Sequence, residues 1–197
     1  MMTQAATAND TAERILEATG ELMAREGADA VSMRRVAAAV GITAMAVYRH
    51  FPNRQGLLNA LADAGFDELT RRLAAVRRGD AVETLRAVLD THLDFAMEKP
   101  RLFELMFLSL RPGARQFPGD FRAGASPTAN VAVKLIEEGM RRGDLRPGDA
   151  WEITLETGAL LQGMVMLYLG GRISGTAADF RALCHRSFRR YFDGIRA

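Results

Sequence analysis

Ser32-Met33-Arg34-Arg35-Val36-Ala37-Ala38-Ala39-Val40-Gly41-Ile42-Thr43-Ala44-Met45-Ala46-Val47-Tyr48-Arg49-His50-Phe51 is the stretch that decides the fold of this chain. Ser32 is placed to cap a short helix, Met33 to Val40, that Gly41 stops. Thr43 caps a second, Ala44 to Phe51, which Pro52 closes because a residue before proline is pushed out of the helical region. Two helices joined this tightly need a small residue where they touch, a glycine that accepts positive φ, and an apolar anchor under the second helix. Ala37, Gly41 and Val47 supply those three. At about 100° per residue, Ala44 and Phe51 fall within about 60° of Val47 and form the inner side. Met45 and Arg49 then point outward, with Tyr48 on one flank and Ala46 and His50 on the other.

Charge gives that outer side a meaning. The chain has 26 Lys and Arg against 24 Asp and Glu, so it is no polycation that coats nucleic acid indiscriminately. Between Ala30 and Ala62, however, stand Arg34, Arg35, Arg49 and Arg54 without a single Asp or Glu. A local basic patch beside an exposed Met, Arg, Tyr and His suits a major groove bordered by phosphates.

Outward from this segment, apolar residues recur at helical spacing and no stretch requires a strand. Helix 1 is expected from Asp10 or Thr11 to Glu26, stopped by Gly27, and helix 4 from Arg54 to Arg78. Further helices follow over Ala81 to Glu98, Pro100 to Leu110, Thr128 to Arg142, Ala150 to Leu169 and about Ala177 to Ile195. Arg111 to Pro127, rich in proline and glycine, reads as a loop. The fold class is therefore all-α, with a three-helix helix-turn-helix head (11–71, including the start of helix 4) joined by the long helix 4 to a helical body (72–197) of ligand-binding and dimerisation type, about nine helices in all.

Other function classes find little support. One cysteine, Cys184, allows neither an intramolecular disulfide framework nor a cysteine-rich zinc site. His50, His92 and His185 share no metal-binding spacing, so no metal and no cofactor are expected. A phosphate loop, dinucleotide fingerprint, nucleophile elbow and zinc helix are all missing from the sequence, and Cys184 and His185, adjacent on one helix, point apart, so an enzyme is not expected. The start through Asp10 reads as a loose polar tail and not a signal peptide. The apolar run from Gly158 to Gly171 is interrupted by Gln162 and too short to span a bilayer comfortably, so a cytoplasmic location is expected.

Thr11, Ile15-Leu16, Ala18, Leu22, Gly27, Ser32-Met33-Arg34, Val36-Ala37, Gly41-Ile42-Thr43, Val47-Tyr48-Arg49-His50-Phe51 and Leu57-Leu58, taken in order, resemble the N-terminal signature of the TetR family. The resemblance covers about the first 60 residues. It implies a two-fold dimer formed mainly by the last two helices and a repressor released from its operator by a small molecule. It also implies that Tyr48, His50, Thr43 and the pair Arg34 and Arg35 meet phosphates, while Met45, Ala46 and Arg49 face bases. Arg54 stands where the family usually has a lysine, and takes over its phosphate role because a guanidinium grips phosphate at least as well. Gly20 and Gly56 are departures that loosen their helices slightly.

The body carries no signature that identifies an effector. His92, Phe95, Phe103, Met106, Phe107, Met140 and Met164 are dense enough in Met and Phe to line an adaptable apolar pocket, with Thr157, Gln162, Tyr168 and His92 as polar contacts. A small apolar or aromatic molecule is the expected ligand. Gly158 and Gly163 permit close approach of another helix, and Phe180, Leu183, Cys184, Phe188, Tyr191, Phe192 and Ile195 form a stripe. Together they predict a homodimer through the eighth and ninth helices, Ala150 to Leu169 and Ala177 to Ile195. A dimer carries two heads about 34 to 36 Å apart, the repeat of a palindromic double-stranded operator. The alternatives kept open are a DNA-binding architectural protein that needs no ligand and, behind it, a small helical enzyme.

Overall fold

The computed structural model describes residues 2–197, with side chains from Asp10 onward. The loose tail expected through Asp10 is helical instead: the first helix starts at Met2, not at Asp10 or Thr11, through an alanine-rich stretch that favours helix. The helical segments in chain order are α1 (Met2–Glu26), α2 (Met33–Val40), α3 (Ala44–His50), α4 (Arg54–Ala74), α5 (Ala81–Glu98), α6 (Pro100–Phe103), α7 (Gly119–Arg122), α8 (Pro127–Arg142), α9 (Ala150–Leu169) and α10 (Ala177–Ile195). No β-strand forms among the described residues. None of the helices is long and apolar enough to cross a membrane.

Local chemistry explains most of the boundaries. The Ser32 hydroxyl accepts from the Arg35 N–H at 3.3 Å, and that of Thr43 from the Ala46 N–H at 3.2 Å, so both short helices begin at the expected caps. Gly41 adopts φ 76° and ψ 34°. Its N–H donates to Ala38 O at 3.3 Å and that of Ile42 to Ala37 O at 3.0 Å, the paired bonds of a Schellman stop.

Three further expectations need correction. Helix 4 ends at Ala74, not Arg78, because the Arg77 guanidinium folds back to donate to Ala74 O and Val76 O and takes up the terminal carbonyls. The helix expected from Pro100 to Leu110 is one α-turn followed by a π-turn, Glu104–Leu108, closed by the Ser109 N–H reaching back five residues to Glu104 O at 2.9 Å. The expected loop from Arg111 to Pro127 contains α7, where the Asp120 carboxylate accepts from the Gln116 N–H at 2.7 Å.

The chain divides into two compact units. The head contains the chain up to Gly65 together with Lys99–Arg111, and the body Phe66–Glu98 with Pro112–Ala197. The division falls inside α4, a few residues before the expected boundary at 71, and adds a distant segment to the head. Gly65 makes that addition possible, since a Cβ there would sit 2.6 Å from Met106 Sδ. The head buries Ile15, Leu22, Met23, Val36, Val47 and Leu57 almost completely, each worth roughly 1.5–3 kcal/mol of removal from water. In the body, α5 is central: it packs on α8, α9 and α10 and encloses Val82, Leu85, Leu93, Phe95 and Ala96.

Candidate nucleic-acid interface

The inner and outer sides of α3 separate cleanly. Val47 is wholly buried and Phe51, its cap residue, nearly so, whereas Met45 is 66% and Tyr48 48% exposed. Arg49 is exposed, and Ala44, Ala46 and His50 are half-buried at the edges. The His50 ring lies 6.4 Å from that of Phe51, which steadies it beside the core aromatic. The sequence-derived phase is right for Val47, Phe51, Met45 and Arg49, whereas Ala44, expected on the inner side, is only half-buried. Thr43 uses its oxygen as acceptor for the cap, leaving the hydroxyl proton to donate outward.

The four arginines of the acid-free window split into two kinds. Arg35 makes a two-pronged ion pair with Glu26, at 2.8 and 2.9 Å, and also donates to Ala30 O. That bond holds the exposed Glu26 carboxyl below its ordinary value. Arg54 donates through Nε to Val31 O at 2.8 Å and through Nη2 to Ala28 O at 2.6 Å, so its guanidinium staples the segment between α1 and α2. Two of its five N–H donors are thereby held within the head, so Arg54 has a structural role beside the phosphate contact expected of it. Arg34 and Arg49, by contrast, have no ion-pair or hydrogen-bond partner among the described residues. Arg34 also occupies the first turn of α2, where the positive end of the helix dipole disfavours a cation. An external anion relieves that opposition.

Sequence reasoning missed two positioning residues. Glu26, the partner of Arg35, stands just outside the window that looked free of acid. Arg14 donates to Val40 O at 3.1 Å and ties α1 to the last turn of α2. A charged residue on the otherwise polar face of helix 1 is the only local sign of it, and that sign does not specify a partner.

The ten residues expected around a ligand do not all share one unit. Phe103, Met106 and Phe107 belong to the head, where the rings of Phe103 and Phe107 are 4.8 Å apart. In the body, His92, Phe95 and Thr157 are buried, and Met140, Gln162, Met164 and Tyr168 half-buried. Burial pushes the His92 imidazole down to about 4, so it is neutral at physiological pH. The Thr157 hydroxyl donates to Ile153 O at 2.7 Å, and Tyr168 stacks on Phe180 with centroids 4.2 Å apart. Two body cavities, about 480 Å³ beside Arg77, Arg78 and Arg142 and about 270 Å³ between Leu93, Met97 and Phe180, are lined by none of the ten.

The family model described as bacterial regulatory proteins of the tetR family matches residues 15–61. That of the tetracyclin repressor-like C-terminal domain matches residues 85–191. Nucleoid occlusion factor SlmA of Sodalis glossinidius is 25% identical over 172 residues, which cover 85% of this chain and 83% of that protein. The class A tetracycline repressor of Escherichia coli is 32% identical over 133 residues, 66% of this chain and 56% of its own length. The crystal structure of a TetR-family transcriptional regulator from Pectobacterium atrosepticum matches with a TM-score of 0.77 at 20% identity, over 98% of this chain and 97% of that one, a likeness of fold.

Proposed function

The chain belongs to the TetR family of bacterial regulatory proteins, DNA-binding transcriptional regulators, and from that premise we propose that it is a homodimeric repressor whose hold on a palindromic operator is released by a small apolar or aromatic ligand. One observation carries the DNA-facing part. The outer side of α3 leaves Met45, Tyr48 and Arg49 in water, with partnerless Arg34 nearby in sequence, while its inner side anchors the head through Val47. In this reading Tyr48, His50, Thr43 and Arg34 meet phosphates, and Met45, Ala46 and Arg49 face the groove. Arg35 and Arg54 hold the head in shape.

The finer features follow the same logic. Two copies meet through α9 and α10, because α9 exposes Leu155, Met166 and Leu167 on a helix whose other side is already core. The ligand meets the body at His92, Phe95 and Thr157, with Met140, Gln162, Met164 and Tyr168 at its edge. That none of the ten ligand candidates lines either body cavity favours a second reading, a DNA-binding protein whose operator affinity no small molecule alters. A screen of apolar and aromatic compounds against the operator complex separates the two.

The test of the DNA reading uses full-length protein and duplexes selected from a random pool. Tyr48→Ala and Arg34→Ala should each weaken binding about tenfold or more, and Arg34→Ala should also lower the salt slope by about one per head. Arg54→Ala should instead lower the thermal stability of the head. Unchanged binding by both Tyr48→Ala and Arg34→Ala would remove the interface from this face.

A further inference from the structure

Resting on the reading of α3 as the groove element, we propose that each head selects a guanine through Arg49 and thymine through Met45 and its neighbour Ala46, about two base steps apart. In that reading the side chains that α3 offers to bases are Met45, Ala46 and Arg49, of which Met45 and Arg49 are exposed and Ala46 half-buried. Arg49 alone among them can hydrogen-bond. Its guanidinium is exposed and has no partner among the described residues, so its donors are unspent.

A guanidinium only donates. In the major groove guanine offers two acceptors, N7 and O6, side by side, whereas adenine pairs an acceptor with a donor, thymine offers one acceptor and cytosine a donor. Guanine is thus the base that satisfies the fork fully. Met45, 66% exposed, carries no donor and has only an apolar contact to give. The C5 methyl of thymine is the apolar group on the major-groove edges. Met45 and Arg49 are one turn apart on the same face, about 6 Å along the axis, which corresponds to about two steps of 3.4 Å. With one hydrogen-bonding reader per head, direct readout is narrow, and phosphate contacts supply most of the affinity.

Selection from random duplexes with the full-length wild type and with Arg49→Lys tests this, since lysine keeps the charge and loses the fork. The wild type should fix a guanine in each half-site. Arg49→Lys should lose about tenfold or more of that preference with the salt slope unchanged. In the selected operator, 7-deazaguanine at that position should weaken the wild type and leave Arg49→Ala unaffected. Uracil in place of the neighbouring thymine should weaken the wild type but not Met45→Ala. The proposal is overturned if Arg49→Ala still fixes the same guanine, or if it weakens all sequences equally and lowers the salt slope, which marks a phosphate contact. Failure of the wild type to enrich any sequence would instead strike the DNA reading itself, and the base assignment with it.

Discussion

Gly41 and Gly139 show how two glycines can be required for opposite reasons. At Gly41 the backbone sits at φ 76°, yet nothing lies within 4 Å of where a Cβ would be. The obstacle to a side chain is therefore conformational, about 1–2 kcal/mol for a residue forced into the left-handed region. At Gly139 a Cβ would meet Leu145 Cδ1 at 2.8 Å and the Ala81 Cβ at 3.0 Å, so there the obstacle is crowding. Gly41→Ala should lower unfolding stability by about 1 kcal/mol and Gly41→Asn by less, since asparagine tolerates that region. At position 139 the order should reverse, the larger asparagine being worse than alanine. Denaturant titration of the four variants decides it; equal losses for alanine and asparagine at position 41 would show that φ is not the governing cost. Gly41 was legible in the sequence because its role is local, set by the helix before it and the cap two residues on. Gly139 was not, because Leu145 and Ala81 reach it only in the folded body.

Among the elements, α9 and α10 owe their starts to carboxylates. Thr176 and Asp179 form a reciprocal cap: the Thr176 hydroxyl accepts from the Asp179 N–H at 3.2 Å, and the Asp179 carboxylate from the Thr176 N–H at 2.9 Å. The Thr176 N–H and, at 2.8 Å, the Thr176 hydroxyl both reach Asp179 Oδ2 and hold its carboxyl below the ordinary 3.8. The Arg122 ion pair, with the N–H groups of Glu152 and Trp151, does the same for Asp149, the cap of α9. A carboxyl depressed in the folded state contributes stability that is complete above its unfolded value and is lost as the pH falls through its folded one. Asp179→Asn and Asp149→Asn should therefore flatten the loss of stability below about pH 4, measured by urea unfolding across an acid series. Thr176→Ala should cost about 1 kcal/mol at neutral pH. An acid limb as steep in the asparagine variants as in the parent would assign it to other groups. Periodicity placed most of these helices within a few residues, because amphipathic spacing is written along the chain. It gave no sign of the π-turn at Glu104–Leu108, nor of the ties from Arg14, Arg35 and Arg54, which join residues that only the fold brings together.

For the whole molecule, α9 poses the problem that a single copy does not solve. Thr154, Thr157, Leu161 and Val165 give it a buried side, and Leu155, Met166 and Leu167 remain 38%, 52% and 37% exposed. Leaving such a stripe in water forgoes burial worth on the order of 25 cal/mol per Å², and in the proposed dimer a second copy of the same stripe would cover it by two-fold symmetry. Gly163 has nothing within 4 Å of a prospective Cβ, so the face has room for a close neighbour. Replacing Leu155 and Met166 together by glutamate should drive the protein to monomers in sedimentation experiments at micromolar concentration, because two charges on each copy would be desolvated against two on the other. Each monomer keeps an intact head, so its affinity for one half-site should hold while that for the full operator falls about a hundredfold or more, the gain that linkage of two sites provides. A Gly163→Leu variant serves as a second probe, since it blocks approach without adding charge. Should the double variant remain dimeric, the copies meet elsewhere; should it become monomeric and still bind the full operator as tightly as the parent, reading by paired heads is excluded.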